Sequence, residues 1–549
     1  MDFPFYFGNT LAMDFLRLTD NEWQDSNDLA LGQDYSILSV GSGDLRNLVY
    51  TIASLPNEFR GKIHITMCDF DPFVMARNVL LLYIMVAEAD QLDIEKKLTT
   101  IWYSLQFTKA EHQIITKALK KLCCCSTGSD LHEMTGGMIK MSDKEVKVLL
   151  QVWKGWRDRR YITDDKTEPD PDDDKVWKGF KVMDCDKSGS VLWRQRAKAV
   201  KNVRLRGDHH IFHRPSNNMW MRSGKFTAQG RKPSDLTHDN VTLTGRMGYD
   251  FARRYEGDET VDPYQQCVLN EHEEEHSYER YEQVMLEDPR QPKDSPFKYC
   301  LQGDVSPYRV WDYAEVRAVS YNNDLEIMYF EYIRNCINLT IEFIREKRLS
   351  VKATITEGRK LHLNETECFD RIFTSNLLDY FGMHPLVRKF GPHLRRSNPH
   401  AVLVMETIYW IETVCIFNEG EMKGQVKLHK RDLYNGDVKN LKMQCRLDIF
   451  CNGGRLPEEA PMYNPIIDDY DFDAGNVIKH LKADYMASEK IGDAKAVPST
   501  KQIMECGELR MRDVRRERNK VAPFRDIYHG RQGGIPWIER RMVEWYYPE

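Results

Sequence analysis

Apolar and polar positions along the first ninety residues follow two spacings, which together predict a parallel sheet covered by helices. The apolar run YSILSV at 35–40 predicts a buried strand, which ends abruptly in the glycine turn GSGD at 41–44. Apolar side chains at helical spacing follow this turn. A second apolar run at 62–68 predicts the next strand, and the pair Asp71 and Pro72 behind it is typical of a helix start. This order predicts the opening of a doubly wound sheet.

The alternation of strands and helices then stops for a long stretch before it resumes. Within that stretch, capping-box sequences at 108–111 and 142–145 predict two helix starts, and apolar spacing predicts a long helix over 325–348. Three short buried strands are predicted after it, at 350–355, 369–374 and 401–407. The simplest arrangement is an α/β fold, with one parallel sheet and a large, mostly helical insertion between its second and third strands. We therefore expect 62–68 and 350–355 to share a sheet.

This pattern divides the chain into five parts. The α/β core takes 1–89 and 350–417, and the mostly helical insertion takes 90–349 between them. A mixed extension is expected over 418–489, and a charged, loosely ordered tail over 490–549. Because the insertion leaves and re-enters the same sheet, its two ends should lie close together.

Composition narrows the class of protein. The chain has 549 residues, 41% of them hydrophobic, and a net charge of -6, which excludes a globally basic nucleic-acid binder. The longest strongly apolar run, 79–87, is too short to span a bilayer, and the acidic start at Asp2 is not typical of a signal peptide. The 13 cysteines are an odd number without paired spacing, which indicates reduced thiols. We expect a soluble, cytoplasmic protein.

The glycine turn is the first candidate site, formed by Gly41, Ser42 and Gly43. A glycine turn between a strand and a helix lets backbone N–H groups approach a ligand. Asp69 ends the second predicted strand, where a carboxylate can accept hydrogen bonds from both hydroxyls of a ribose. The alternative is structural: the glycines only make a tight turn, and Asp69 only caps the chain.

Other motifs favour structural interpretations. The segment 184–195 resembles a calcium loop, but Gln195 stands where a bidentate carboxylate is needed. The three consecutive thiols of Cys123, Cys124 and Cys125 cannot converge on one tetrahedral metal. Three histidines lie in an arginine-rich stretch that favours a polar surface over a metal site: His209, His210 and His213.

The region 153–231 mixes basic residues with tryptophan. Such mixing can bind single-stranded nucleic acid through stacking and phosphate contacts. The tryptophans concerned are Trp153, Trp156, Trp177, Trp193 and Trp220. An acidic loop lies beside them, and tryptophan packs equally well in helical cores. We therefore expect no nucleic-acid binding.

Four segments carry a resemblance to a known family. They are ILSVGSGDLRNLVYTI, CDFDPFVMARNVLLLY, CFDRIFTSNLLDYFG and NPHAVLVMET. Together they resemble the uncharacterised family of domains found in axonemal dynein assembly factor three and its relatives, over most of 2–414. That family core in turn looks like an S-adenosylmethionine (SAM)-dependent methyltransferase. The resemblance implies a methyltransferase-like, Rossmann-type fold, with Gly41 and Gly43 facing the methionine part of SAM and Asp69 its ribose.

The chain departs from the methyltransferase pattern at several positions. Ser39 stands where those enzymes usually carry an acid, and Leu45 replaces a third glycine, so we expect its side chain to crowd the cofactor. Arg359, within TEGRK, is expected to replace the acid that meets the adenine amine. The clamp of amino-methylating enzymes is replaced by TSNLLDY. Its polar residues are either site residues or a helix cap, and the cap is favoured: Ser375, Asn376 and Asp379.

These departures favour a non-enzymatic assembly factor or scaffold, which the resemblance places in axonemal dynein preassembly and cilium motility. Its expected partners are axonemal dynein chains or other assembly factors, with no membrane contact. No cofactor is expected; the alternative is an active SAM-dependent methyltransferase, and a third hypothesis is a structural nucleotide. We expect no SAM binding tighter than about 100 μM.

Overall fold

The computed structural model describes residues 6–8, 10–25, 27–158, 224–231, 235–243, 306–320, 322, 324–408, 410, 470–489, 498–526 and 540–548. Its strands are β1 Tyr35–Val40, β2 Ile63–Asp69, β3 Gln106–Phe107, β4 Ile139–Lys140, β5 His238–Asp239, β6 Leu349–Ile355, β7 Arg371–Phe373, β8 Val402–Thr407, β9 Glu505–Cys506, β10 Leu509–Met511 and β11 Arg541–Tyr546. Its α-helices are α1 Glu22–Asp25, α2 Asn27–Gly32, α3 Arg46–Ala53, α4 Pro72–Ala87, α5 Ile94–Tyr103, α6 Lys109–Leu122, α7 Gly128–Met134, α8 Asp143–Asp158, α9 Pro307–Val310, α10 Tyr313–Val319, α11 Leu325–Arg345, α12 Leu378–Phe381, α13 Met383–Phe390, α14 Tyr470–Ser488 and α15 Thr500–Met504.

One large sheet organises the described residues. Its strand order is β4-β6-β2-β1-β7-β8-β11-β10-β9. All pairings from β4 to β8 are parallel, whereas β11 runs antiparallel to both of its neighbours, β8 and β10. The strands β6, β2, β1, β7 and β8 therefore end on the same side of the molecule. Parallel strands place their ligands at this carboxyl edge.

The two strands on either side of the insertion are neighbours, as predicted. Ile65 pairs with Val351 in a parallel register. At the ends of the insertion, Arg345 donates hydrogen bonds to the carbonyl of Ala89 and the carboxylate of Asp90. The insertion is not entirely helical, because β4 joins the edge of the main sheet and β3 pairs with β5.

The predicted helix starts are confirmed by their capping bonds. Asp71 accepts hydrogen bonds from the amides of Phe73 (2.8 Å) and Val74 (3.2 Å), and Pro72 is the first residue of α4. Thr108 and Glu111 form a reciprocal capping box before α6. These caps satisfy N–H groups that have no partner within the helix, so short sequence patterns are sufficient to define them.

Hydrophobic cores cover both faces of the sheet. Successive residues of β1 show this, because Ile37 packs in one core and Leu38 in the other. The first core includes Leu80 of α4, and the second includes Phe390 of α13 and Leu481 of α14. Alternation of side chains across a strand explains the division. The arrangement is that of an α/β sheet with helices on both faces.

The tail expected over 490–549 is the main correction to the predicted organisation. Its described residues supply β9, β10 and β11, and β11 lies inside the sheet with Met405 paired to Val543. The buried carboxylate of Glu544 accepts backbone hydrogen bonds from Val521 (2.7 Å) and Ala522 (2.9 Å). Charge composition suggested a loose tail, but pairing with a distant strand overrides that local preference.

None of the helices within the described ranges combines the length and the apolar character that crossing a bilayer requires.

Candidate functional site

A cavity of about 530 Å³ lies at the carboxyl edge of the sheet. Five of the six parallel strands contribute to its lining. The strands β1, β2, β7 and β8 do so through Ser39, Asp69, Phe373 and Glu406, and β6 does so through Thr356 directly after it. Its size and its position above a parallel sheet are those of a small-molecule site. The predicted site residues Gly41, Ser42, Gly43 and Asp69 all line it.

The glycine turn is held by hydrogen bonds within the protein. Gly41 and Gly43 have φ of 69° and 58°, a region where glycine is favoured. The amides of Gly41 and Ser42 donate to the carbonyl of Cys68 at 2.8 and 3.0 Å. The Gly43 amide donates to Asp69 Oδ2 at 2.8 Å, and its carbonyl accepts from Asn78 Nδ2 at 2.7 Å. The turn's three amide N–H groups therefore bond to the protein, so they are not free for a ligand.

Leu45 does not crowd the cavity, contrary to the sequence-based expectation. It is buried in the hydrophobic core at the start of α3 and is not among the residues that line the cavity. The neighbouring Arg46 does line it, and its guanidinium pairs with Asp44 and donates to Thr10. Burial raises the pKa of Asp44, and the Arg46 charge opposes that rise. A leucine at the first turn of a helix points inward here because α3 packs on the sheet.

Asp69 links the turn to the next helix. Its Oδ2 accepts from Gly43 N, and its Oδ1 accepts from Asp71 N at 3.0 Å. Burial raises the pKa of this carboxyl, and the backbone hydrogen bonds act in the opposite direction. A carboxylate offers about four acceptor positions, and the backbone N–H groups of Gly43, Phe70 and Asp71 use up to three of them, so about one remains for a ligand. Asp69 can therefore brace the turn and contact a ligand together.

Two buried polar atoms in the cavity wall have no hydrogen-bond partner. They are Ser42 Oγ and Asn376 Nδ2, on residues that are 6% and 8% exposed. Buried polar groups are normally paired, so such atoms in a cavity wall indicate a place for polar ligand atoms. The neighbouring Ser375 has φ of 49°, a strained value for a residue other than glycine.

The helix-cap interpretation of the segment after β7 is wrong. The helical turns there have no side-chain cap, and Ser375 and Asn376 face the cavity instead. Asp379 takes a third role, because it accepts hydrogen bonds from Thr407 Oγ1 (2.6 Å) and the amide of Ile408 (2.9 Å). These contacts join residues about thirty positions apart, which local patterns do not reveal.

An acid lines the cavity after β6, where the sequence analysis expected only Arg359. This acid is Glu357, which accepts from Arg359 Nε at 2.7 Å and lies 3.5 Å from Lys360 Nζ. Burial alone would raise the pKa of Glu357, but the two cations outweigh it and lower the pKa. The motif TEGRK contained this acid, two positions before the residue that the sequence analysis assigned.

Two cavity-supporting residues were missed by sequence reasoning. Asn78 holds the turn from α4, and the buried Arg77 beside it donates to the carbonyls of Ile101 (3.1 Å) and Trp102 (2.6 Å). Burial lowers the pKa of Arg77 to about 10. The sequence did contain a signal for both residues, because Arg77 and Asn78 are two adjacent polar residues in α4, a helix that is otherwise apolar on all sides.

The remaining candidates lie elsewhere or outside the described residues. The calcium-like loop 184–195, the three histidines and the tryptophans at 177, 193 and 220 lie outside them. Cys124 is exposed and Cys125 is buried, and the described residues contain no cluster of three or more metal-ligating side chains. Trp153 donates to the carbonyl of Ala76 at 3.1 Å and packs with Trp156 in the core. These two tryptophans are core residues.

Two comparisons with known proteins found a similarity. The model of a domain of unknown function (DUF4470) matches residues 6–106, which include the glycine turn and Asp69. The chain is also 27% identical over 139 residues to dynein axonemal assembly factor 3 of Danio rerio. This alignment covers 24% of the chain and 29% of that relative. No solved structure matches. These matches confirm the resemblance to the domain family of axonemal dynein assembly factor three.

Proposed function

We propose that the protein is a non-enzymatic, cytoplasmic assembly factor that acts on axonemal dynein and serves cilium biogenesis. The observation that carries this proposal is the 139-residue similarity to a protein named dynein axonemal assembly factor 3. Its partners would be dynein chains or other assembly factors. The matched segment covers less than a third of either chain, and we propose the role for the whole protein.

We further propose that the core is methyltransferase-like. The sheet supports this, because the strands β6, β2, β1, β7 and β8 follow in the order third, second, first, fourth and fifth. That is a doubly wound arrangement, with the site where the strand order reverses beside β1. The cavity lies at that point, above the glycine turn.

The cavity residues fit a nucleoside better than a nucleotide phosphate. The turn's amide groups are already bonded within the protein, so this helix start offers a phosphate no free N–H group of the turn. The unpartnered Ser42 Oγ and Asn376 Nδ2 and the spare acceptor position of Asp69 suit uncharged hydroxyl and amino-acid groups. SAM is such a molecule, and it would supply an activated methyl group. Gly41, Ser42, Gly43 and Asp69 would hold it.

Weak or absent SAM binding is nevertheless the expected result. Ser39 offers no acid beside the turn, and Asp69 already accepts two backbone bonds. Isothermal titration of the full chain with SAM should show no binding tighter than about 100 μM, which is roughly −5.5 kcal/mol. Asp90→Ala, at a surface position, serves as the matched control. Micromolar binding that is lost in Asp69→Ala, but kept in Asp90→Ala, would contradict a scaffold without a cofactor.

A cellular test separates the scaffold from an enzyme. Multiciliated cells that lack the protein should lose axonemal dynein arms, as counted by electron microscopy. Re-expressed Asp69→Ala protein should restore the arms as well as the natural sequence does, provided that both accumulate equally. Arms that stay intact in the depleted cells would contradict the assembly role. Arms restored only by the natural sequence would favour the enzyme.

An active SAM-dependent methyltransferase is the second candidate. Two features of the cavity favour it: Leu45 leaves the site open, and Glu357 supplies an acid after β6. The test is transfer of a labelled methyl group from SAM to proteins of a ciliated-cell extract. Labelling by the natural sequence that is absent with Asp69→Ala would support this candidate over the first.

A further inference from the structure

The loop after β6 crosses the carboxyl ends of two neighbouring strands. Its first residue, Thr356, is tied to β2, because its amide donates to the carbonyl of Asp69 at 2.9 Å and its carbonyl accepts from Cys68 Sγ at 3.4 Å. We name the residues 356–361 the strap. Three strand spacings of about 4.8 Å, roughly 14 Å, separate β6 from β7. A contact between the strap and the segment after β7 must therefore span the ends of β2 and β1.

Gly358 makes the first such contact. A Cβ atom at this glycine would lie 2.7 Å from Val40 Cγ1, at the end of β1, and 2.8 Å from Leu377 Cδ1, after β7. A side chain at residue 358 would therefore have to displace Val40 or Leu377, and glycine lets the strap lie this close to both. The strap is thus packed across the strand ends above the glycine turn.

Arg359 makes the second contact across the cavity. Its guanidinium lies over the ring of Phe381, 4.2 Å from the ring centre, and its Nε donates to Glu357. Both Arg359 and Phe381 line the cavity. A third contact fixes the end of the strap, where Lys389 Nζ donates to the carbonyl of Leu361 at 2.8 Å. The strap thus joins the two sides of the cavity on which β6 and β7 end.

We propose that the strap is a gate that narrows the entrance of the cavity, and that a ligand enters faster when Arg359 leaves Phe381. Arg359 is 61% exposed, and a cation–π contact at an exposed site is weak, so this contact opens readily. The gate concerns the same cavity as the proposed nucleoside site. Its test uses a thiol reagent instead of SAM, so the two proposals can fail separately.

The test introduces a reporter thiol inside the cavity with Ser42→Cys. Its alkylation by iodoacetamide is followed over time by mass spectrometry of the peptide that contains residue 42. Adding Arg359→Ala should raise the alkylation rate by about two- to fivefold, the population change that an exposed cation–π contact supports. Arg396→Ala is the matched control, because Arg396 lies over Tyr547 at 4.6 Å and is 64% exposed, compared with 61% for Arg359.

A second variant opens the strap from its centre. Gly358→Ala should raise the same rate at least as much, because its methyl group must push Val40 and Leu377 away. Gly475→Ala, in a helix where a Cβ meets nothing within 4 Å, should leave the rate unchanged. Thermal unfolding of each variant verifies that it is folded; if Gly358→Ala does not fold, Arg359→Ala and Phe381→Leu decide. Rates equal to those of the Ser42→Cys parent in the folded variants would overturn the gate.

Discussion

The two ends of β7 differ in how completely their buried polar groups are hydrogen-bonded. At the beginning of the strand, Arg371 is fully buried, and its two terminal nitrogens donate to three carbonyls and to both oxygens of Glu22. Only its Nε is without an acceptor. Two residues past the end of the strand, Ser375 has a strained φ and Asn376 Nδ2 has no partner. The beginning of β7 contributes to stability, while its end retains unsatisfied groups.

This difference agrees with the proposed ligand site at the carboxyl edge of the sheet. Strain and unpaired buried groups lower stability, and they persist where the surrounding fold compensates for them. The cavity edge shows both features at Ser42, Ser375 and Asn376, and the amino edge supplies a buried ion pair between Arg371 and Glu22 that fastens α1 to the sheet. The amino edge of the sheet therefore contributes a buried ion pair to stability, and the carboxyl edge carries the cavity.

The largest expected effect is the loss of stability on replacing Arg371. Arg371→Met leaves Glu22 as an uncompensated buried charge, and breaking a buried pair in this way costs about 3–5 kcal/mol. Urea denaturation should show this loss. Arg396→Met is the control, because Arg396 pairs with Glu508 and both side chains are about two-thirds exposed. Its loss should be about 1 kcal/mol or less. Equal losses in the two variants would contradict the claim that the buried ion pair at the beginning of β7 contributes more to stability than an exposed pair.

The next test is the pH dependence that Asp379 adds at the cavity edge. Burial raises its pKa from 3.8 to about 7, although Thr407 and Ile408 donate to it. A carboxyl group whose pKa is higher in the folded state than in the unfolded state stabilises the folded protein. This stabilisation is fully present below pH 3.8 and is lost as the pH rises to about 7. Relative to Asp379→Asn, the natural sequence should therefore lose stability between pH 5 and 7, by at most about 1.4 kcal/mol per pH unit.

Two controls keep this pH test specific. Asp90→Asn, at an exposed position, should follow the natural sequence at every pH. His480 lies 3.2 Å from Thr407 Oγ1, and burial lowers its pKa to about 4. Its contribution has the opposite sign, because it is present above pH 6.5 and lost as pH falls towards 4. Parallel stability curves for the natural sequence and Asp379→Asn would show that Asp379 titrates normally.

A smaller and stabilising effect is expected from Ser42→Ala. Removing a buried hydroxyl that has no partner should raise the free energy of unfolding by about 1 kcal/mol, since its desolvation is uncompensated. Thermal unfolding measures the gain. Thr51→Ala is a useful contrast, because the Thr51 hydroxyl accepts from Phe15 N at 2.9 Å and donates to Asn47 O at 2.7 Å, so its loss should destabilise. A destabilised Ser42→Ala protein would mean that the hydroxyl has a structural partner.

The smallest effect is expected from Ser375→Gly. A left-handed conformation costs a residue other than glycine about 1–2 kcal/mol, which the substitution by glycine would relieve. The greater conformational freedom of glycine in the unfolded chain takes back about 0.5–1 kcal/mol of this stabilisation. The net stabilisation should be about 0.5 kcal/mol by urea denaturation. Ser36→Gly, in β1, is the matched control and should destabilise. A loss of stability in Ser375→Gly would show that its backbone is unstrained.

Much of the fold was predictable because it rests on local chemistry. The first two strands, the glycine turn, the Asp71 cap and the helix Leu325–Arg345 were all predicted close to their observed bounds. Apolar spacing and capping side chains act within a few residues, so one stretch of sequence contains the whole signal. The position of Asp69 beside the turn was predictable too, because it follows from the ends of two adjacent parallel strands.

Other features depended on contacts between residues far apart in the chain. The amino-acid sequence alone determined the candidate turn, its acid and the order of the first elements. Three features were visible only in the tertiary structure. Leu45 is buried in the core, β11 pairs with β8, and the strap lies above the glycine turn and contacts Phe381. Strand pairing and side-chain packing are decided by which distant surfaces meet, and neither the spacing nor the composition of a short segment contains that information.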